Sequence, residues 1–123
     1  MLDEEVNTDL AKRVCIDTKA MKWQGSRATG VLRKPLEKAF AEHGRTTSIV
    51  QFMPGSSFPE HVHPLGEEIV VLGGVFSDER GDYPVGSYIR NPPGSKHTPF
   101  SVEGCTLFVK LDQFNPMDVE SVL

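Results

Sequence analysis

At 123 residues the chain is the size of one domain, able to bury about two thirds of the surface its unfolded form exposes. A net charge of −4, a pI near 5.5 and basic residues scattered along the chain argue against a nucleic-acid-binding face. No apolar run approaches the roughly 18 residues that span a bilayer, and the acidic start Met1-Leu2-Asp3-Glu4-Glu5 is unlike a signal peptide, so no membrane partner and a cytoplasmic location are expected.

In chain order, residues 1–22 read as an N-terminal arm and strand, 23–114 as one β-rich domain, and 115–123 as a tail that is either a helical turn or without structure. Met1 to Arg13 is polar and without a strong period, a solvated arm or short helix. Val14 to Asp17 and Gly30 to Arg33 are short strand-like runs joined by a Gly/Ser loop around Trp23, the only tryptophan, which reads as a packing or dimer-interface anchor. Pro35 to Gly44 is ambiguous, because its composition favours a helix that Gly44 would end. Beyond it, Thr46–Met53, Phe58–His63, Glu67–Leu72, Val75–Asp78, Tyr88–Asn91, His97–Phe100 and Cys105–Phe114 are rich in β-branched and aromatic residues, each bounded by Gly, Pro, Asn or Asp. Strands this closely spaced, with no helical pattern between them, predict a β-sandwich or barrel. Cys15 and Cys105, far apart and without Cys-x-x-Cys spacing, read as buried free thiols.

Three of the four histidines fall in two stretches framed by glycine and proline. The first runs Gly55, five residues, His61-Val62-His63, three residues, Glu67, six residues, Gly74; the second runs Gly86, five residues, Pro92-Pro93-Gly94, two residues, His97. Side chains two apart on a strand share a face about 6–7 Å apart, so His61 and His63 can meet one ion from the same side. Glu67 follows the Pro64-Leu65-Gly66 turn, and a hairpin there returns its carboxylate to the two imidazoles, while Glu68 faces the other way. His97 arrives from a different strand. Three imidazoles and a carboxylate with room for water suit zinc, iron, manganese, copper or nickel. His43 lies outside both stretches and reads as a solvated loop residue.

Both stretches resemble the two cupin motifs, the first filled by Gly55, His61, His63, Glu67 and Gly74 and the second by Gly86, Pro92, Gly94 and His97. Ser101 stands where the family usually has asparagine, at a position that is not a ligand. The runs Gly66-Glu67-Glu68-Ile69-Val70-Val71-Leu72, Gly74-Val75-Phe76-Ser77-Asp78, Gly81-Asp82-Tyr83-Pro84 and Asn91-Pro92-Pro93-Gly94-Ser95 are similar to the cupin domain of ChrR-like anti-sigma factors, over roughly Trp23 to Phe114.

This resemblance implies an all-β fold, a cupin (RmlC-like) double-stranded β-helix or jelly-roll barrel, with the N-terminal strands extending its sheet. It implies one divalent transition metal per chain, zinc or iron, with manganese, nickel or copper also compatible, held by His61, His63, Glu67 and His97. It places a strand and turn, not a helix, at Pro35 to Gly44, and a tight hairpin without a lid at Val75 to Val85. Full-length anti-sigma relatives carry a helical sigma-binding domain with its own zinc site, whereas only about two dozen residues precede the barrel here, without a Cys/His cluster, so a sigma factor is not expected as a partner. Single-domain relatives include dioxygenases of small ketones and phenolic ketones.

Phe52, Met53, Phe100 and Phe108 read as core. Phe52, Phe100, Arg90 and Lys110 are the candidates for lining a cavity beside the metal, the two cations as groups that orient an anionic or enolate substrate. No nucleophile elbow or phosphate-binding glycine loop is present, which sets serine hydrolase and nucleotide chemistry aside. The expected function is therefore a metal-binding cupin acting as a non-haem dioxygenase on a small ketone or phenolic compound, with a non-catalytic zinc-binding sensor or structural module as the alternative. A metal-free sugar-isomerase cupin is disfavoured by the complete ligand set. The N-terminal strands have no evident place to bury both faces on so small a barrel, which predicts a homodimer.

Overall fold

The computed structural model describes residues 4–40 and 44–114; His43 and the tail from 115 to 123 lie outside the described residues. After a single 3-10 turn, Thr18–Ala20, eleven strands follow: β1 Gln24–Gly25, β2 Val31–Lys38, β3 Thr46–Phe52, β4 Ser56–Ser57, β5 His61–Val62, β6 Glu67–Asp78, β7 Gly81–Pro84, β8 Tyr88–Asn91, β9 Lys96–His97, β10 Phe100–Ser101 and β11 Cys105–Leu111. The fold is all-β, as expected. One antiparallel sheet runs β1-β2-β3-β11-β6-β10-β4, with β7 and β8 also paired to β6, and β5 pairs with β9 as a separate ribbon.

The pairing register sorts side chains into rows that face inward or outward. Arg33, Val50, Leu107 and Val71 form one inward row; Pro35, Ser48, Val109, Ile69 and Ile89 form the next. Buried Val31, Phe52, Ile69, Val71, Phe76, Leu107 and Val109 make this interior apolar. The row between them, Lys34, Ile49, Phe108, Val70 and Tyr88, and the row beyond the second, Glu37, Thr47, Lys110, Glu68 and Arg90, face the other way, and there Glu68 accepts a 2.7 Å hydrogen bond from the Tyr88 hydroxyl.

β6 is longer than either strand the sequence suggests there, because Glu67–Leu72 and Val75–Asp78 are one strand interrupted by a bulge. Thr106 pairs with Gly73 but Leu107 with Val71, leaving Leu72 unmatched. The first half of β6 pairs with β11 and β8, the second with β7 and β10, so the bulge is where the sheet bends around its core. The hairpin Val75 to Pro84 is tight, with Asp78 opposite Gly81.

Several expectations are corrected. Val14 to Asp17 is not a strand, and the chain reaches β1 through the 3-10 turn instead, with Asp17 accepting from the Lys19 amide. Pro35 continues β2 as far as Lys38, in line with the strand reading. Phe58–His63 and His97–Phe100 are each broken, because Pro59 and Pro99 interrupt the ladder and leave only two-residue strands on either side. Met53 is 45% exposed, and Cys15 is exposed while Cys105 is buried. Trp23 packs under Lys34, whose ammonium lies 4.3 Å from the ring centroid. No helix among the described residues is long and apolar enough to cross a membrane.

The arm covers part of the outer edge of β2: Val6 and Lys38 exchange backbone hydrogen bonds at 2.9 and 2.8 Å, Asn7 donates to the Leu36 carbonyl, and Arg45 donates to the Thr8 carbonyl. The edge from which the sequence suggests a second copy is thus partly occupied by the chain itself.

At Gly74, with φ +70°, a Cβ would lie 2.0 Å from the Gly104 carbonyl oxygen, a backbone atom that the β11 pairing holds in place. Gly74→Ala should destabilise the fold by about 3 kcal/mol or prevent folding, combining left-handed strain with a backbone clash. Gly55, also at positive φ but with nothing near its Cβ position, should lose only about 1 kcal/mol as alanine. Denaturant melts of the two variants check the difference.

Candidate metal centre

The β5–β9 ribbon sets His61 directly opposite His97. His63 follows two residues later, and its carbonyl accepts from the amides of Gly66 and Gly94, closing the turn before β6 and anchoring the Pro-Pro-Gly turn before β9. Gly66 has φ +85°, which a glycine adopts readily, and it delivers Glu67 as the first residue of β6, opposite Asn91 of β8. Backbone pairing from four strands and one turn thereby brings together groups from two separate stretches of sequence.

The three imidazoles each offer a nitrogen within 4.8 Å of the others. Ring centroids are 4.4 Å apart for His61 and His63, 5.1 Å for His61 and His97, and 5.6 Å for His63 and His97. Glu67 joins them, its two oxygens 3.2 Å from His63 Nε2 and 3.1 Å from His97 Nε2. Those contacts are close enough for ion pairing, yet their angles are not those of hydrogen bonds, and the buried nitrogens His63 Nε2, His97 Nδ1 and His97 Nε2 have no hydrogen-bond partner. Buried imidazole nitrogens without partners, converging with a carboxylate, are the donor set a transition metal satisfies.

The surroundings orient these donors. His61 Nδ1–H donates to the Pro59 carbonyl at 2.7 Å, which leaves Nε2 as the free donor. Asn91 Nδ2 donates at 3.1 Å to Glu67 Oε1, the oxygen that His97 Nε2 also approaches, and so helps to fix the carboxylate. Burial raises the Glu67 carboxyl, but the adjoining His63 and His97 outweigh it and hold the group down at about 2. Burial lowers His61, and the neighbouring imidazoles add to this against the Pro59 carbonyl. For His97, burial acts downward but the contact with Glu67 prevails and raises it.

The cluster sits at the wall of a cavity of about 440 Å³, within the range of small-molecule sites. Of the four cavity candidates from the sequence, only Phe52 lines it. Arg90 and Lys110 belong to the outward row, Arg90 donating to the Tyr88 hydroxyl at 3.3 Å, and Phe100 is half-buried where β10 meets β4 and β6. Phe108, one residue from two inward leucine and valine side chains, faces outward by the same alternation. Sequence reading passes over Phe58, Arg27, Arg33 and Asn91. Arg33 was accessible to it, since it alternates with Val31 on a strand, but only the register shows which face is the inside.

A family model described as the ChrR Cupin-like domain matches residues 11–115. No curated protein gives a sequence match. Among crystal structures, a putative acetylacetone dioxygenase from Methylibium petroleiphilum is 20% identical with a TM-score of 0.73, over 90% of this chain and 81% of that one. An acetylacetone dioxygenase from Acinetobacter johnsonii is 17% identical with a TM-score of 0.68, over 90% and 78%. The anti-sigma factor ChrR of Rhodobacter sphaeroides, in complex with SigE, is 21% identical with a TM-score of 0.64, over 77% of this chain and 50% of that chain. This chain therefore spans about half of the anti-sigma chain. That a neighbour of the same fold is found with a sigma factor also speaks against setting sigma factors aside as partners, as the short N-terminal arm suggested.

Proposed function

The chain belongs to the ChrR cupin-like domain family, and from that premise we propose that it is a metal-dependent cupin enzyme, a dioxygenase of a small ketone or phenolic compound. The observation that carries this reading is the position of His61, His63, Glu67 and His97 on the wall of a cavity large enough for a small molecule. A purely structural site has no use for such a space beside its ligands. Two acetylacetone dioxygenases among the structural neighbours support the same substrate class.

A bound Fe(II) would supply open positions where an enolate and dioxygen meet, together with the electron that dioxygen activation requires. The chain supplies the rest. His61, His63, His97 and Glu67 would hold the ion, Pro59 and Asn91 keep two of those donors in their orientation, and Phe52, Phe58, Phe76 and Ile69 would exclude water. Glu67, held ionised, neutralises one unit of the metal's charge.

A second reading, a zinc-binding sensor or structural module, is favoured by the ChrR neighbour, which is known in complex with a sigma factor. The two readings differ in turnover. Fe(II)-loaded protein should consume dioxygen in the presence of a β-diketone or aromatic ketone, and zinc-loaded protein should not, because zinc has no accessible redox couple. Inertness of both forms in an oxygen electrode, across a ketone and phenol panel, would leave the second reading standing.

Elemental analysis of the purified chain should find one transition-metal ion per chain, and His63→Ala should lower the affinity by at least about tenfold. Equal metal content in variant and parent at limiting metal would overturn the assignment. Because His97 must shed its proton to bind metal, and Glu67 keeps that proton on to higher pH than usual, affinity should decline on acidification starting at a higher pH than an ordinary histidine would set. Competition titration against a chromophoric chelator at several pH values reads this out.

A further inference from the structure

Three cationic side chains, Arg27, Arg33 and Lys38, line the cavity, against a single carboxylate, Glu67. This is an inversion of the chain as a whole, whose net charge is −4. Arg33 points inward from β2 in the row with Val50 and Leu107, and Arg27 reaches in from the loop between β1 and β2. Both guanidinium carbons lie 5.7 Å from the centroid of the Phe58 ring, and that ring is in turn 5.0 Å from the His61 imidazole. Phe58 is thus the floor between the two arginines and the metal donors.

Among the described residues, neither Arg27 nor Arg33 has a hydrogen-bond or ion-pair partner. The guanidinium of Arg33 is half-buried, and burial together with the like charge of Arg27 holds it below its ordinary value against the attraction of Glu67. Two like charges face one ring, whose attraction holds them there, yet the partly buried Arg33 has no anion hydrogen-bonded to its fork. An anion between them supplies that partner and offsets the like charge, because a guanidinium fork matches the two oxygens of a carboxylate. The remaining walls, Val31, Val50, Phe52, Ile69, Phe76, Leu107 and Val109, are apolar and suit a hydrocarbon or aromatic body.

We propose that the cavity is a site for a small organic carboxylate, whose carboxylate is held by Arg33 with Arg27 while its body packs on Phe58 and its other polar end faces the metal centre. This rests on the reading of the cavity as a substrate site and narrows the substrate from neutral ketones to acids with an apolar body, such as an aryl 2-oxo acid. Arg33 is the specificity-determining group, and Arg27 assists from the exposed side.

The test compares benzoylformate with its neutral isostere, 1-phenylpropane-1,2-dione, by calorimetry on the full chain loaded with zinc, where no turnover interferes. The parent should bind benzoylformate at least about tenfold more tightly than the dione. Arg33→Gln should weaken benzoylformate by about tenfold to a hundredfold and leave the dione within about twofold, with metal content unchanged. Arg33→Lys should fall between, keeping the charge without the fork. Arg27→Gln, on a loop and outside the barrel wall, should weaken benzoylformate by a smaller factor and serves if the Arg33 variants do not fold. Equal affinity of the parent for acid and dione, or an unchanged benzoylformate affinity in a folded Arg33→Gln or Arg27→Gln variant, would overturn the proposal. The same titrations on metal-free protein separate it from the reading it rests on: a parent that takes up no metal but still prefers the acid through Arg33 retains the anion site and loses the metal enzyme.

Discussion

A carboxylate taken out of water has to be met by compensating charge or hydrogen bonds, and Glu67 is the group around which this barrel meets that requirement. It lies 6% exposed at the first position of the long strand β6. Asn91 donates to Oε1 from the neighbouring strand, His97 lies 3.1 Å from the same oxygen, and His63 lies 3.2 Å from Oε2. Without an ion the imidazole nitrogens that face it are left without hydrogen bonds. The arrangement is incomplete as a purely protein network and complete as a set of ligands, which is why the metal reading follows from the chemistry of the donors as well as from kinship.

The position of that carboxylate depends in turn on how the sheet closes. The bulge at Leu72, next to Gly73 and Gly74, lets one strand serve two parts of the sheet, pairing β11 and β8 before the bend and β7 and β10 after it. Its near approach to the Gly104 carbonyl leaves no room for a side chain at Gly74. The short ribbon β5–β9, isolated between Pro59 and Pro99, pairs apart from the main sheet and carries two of the histidines. Prolines that break the ladder there free this ribbon from the main sheet and turn its side chains toward the cavity.

The interior that results is divided by function along its length. Aliphatic and aromatic side chains fill the end near Phe76 and Leu107, the imidazole cluster occupies one wall, and guanidinium groups stand across the Phe58 ring from it. Guanidinium groups and an imidazole cluster that both neighbour one phenyl ring in a largely apolar space are a geometry for orienting a polar molecule, since each group offers it a different partner. On the outer face, charges of both signs alternate across the strands, Lys110 and Arg90 flanking Glu68, and serve solvation.

Much of this was legible from the residues in order. The period-two spacing of His61 and His63, the turn before Glu67 and the Pro-Pro-Gly turn before His97 are local features, and local backbone geometry dictates which side chains share a face. Strand content was legible for the same reason. Which face is the inside is not local. Arg90 and Lys110 looked like candidates for the cavity, and Arg33 did not, because an arginine on a strand carries no mark of its orientation until pairing across β2, β3, β11 and β6 sorts the rows. The disappearance of the expected strand at Val14 to Asp17 has a similar origin, in that the edge it would have joined is reached first by Gln24–Gly25 and Val6. The sequence by itself determined the spacing of the histidines and Glu67, the turns and the strand-rich fold class, all set by neighbours a few residues apart; the tertiary structure decided the contents of the cavity, because long-range register alone determines which alternate side chains are withdrawn from water.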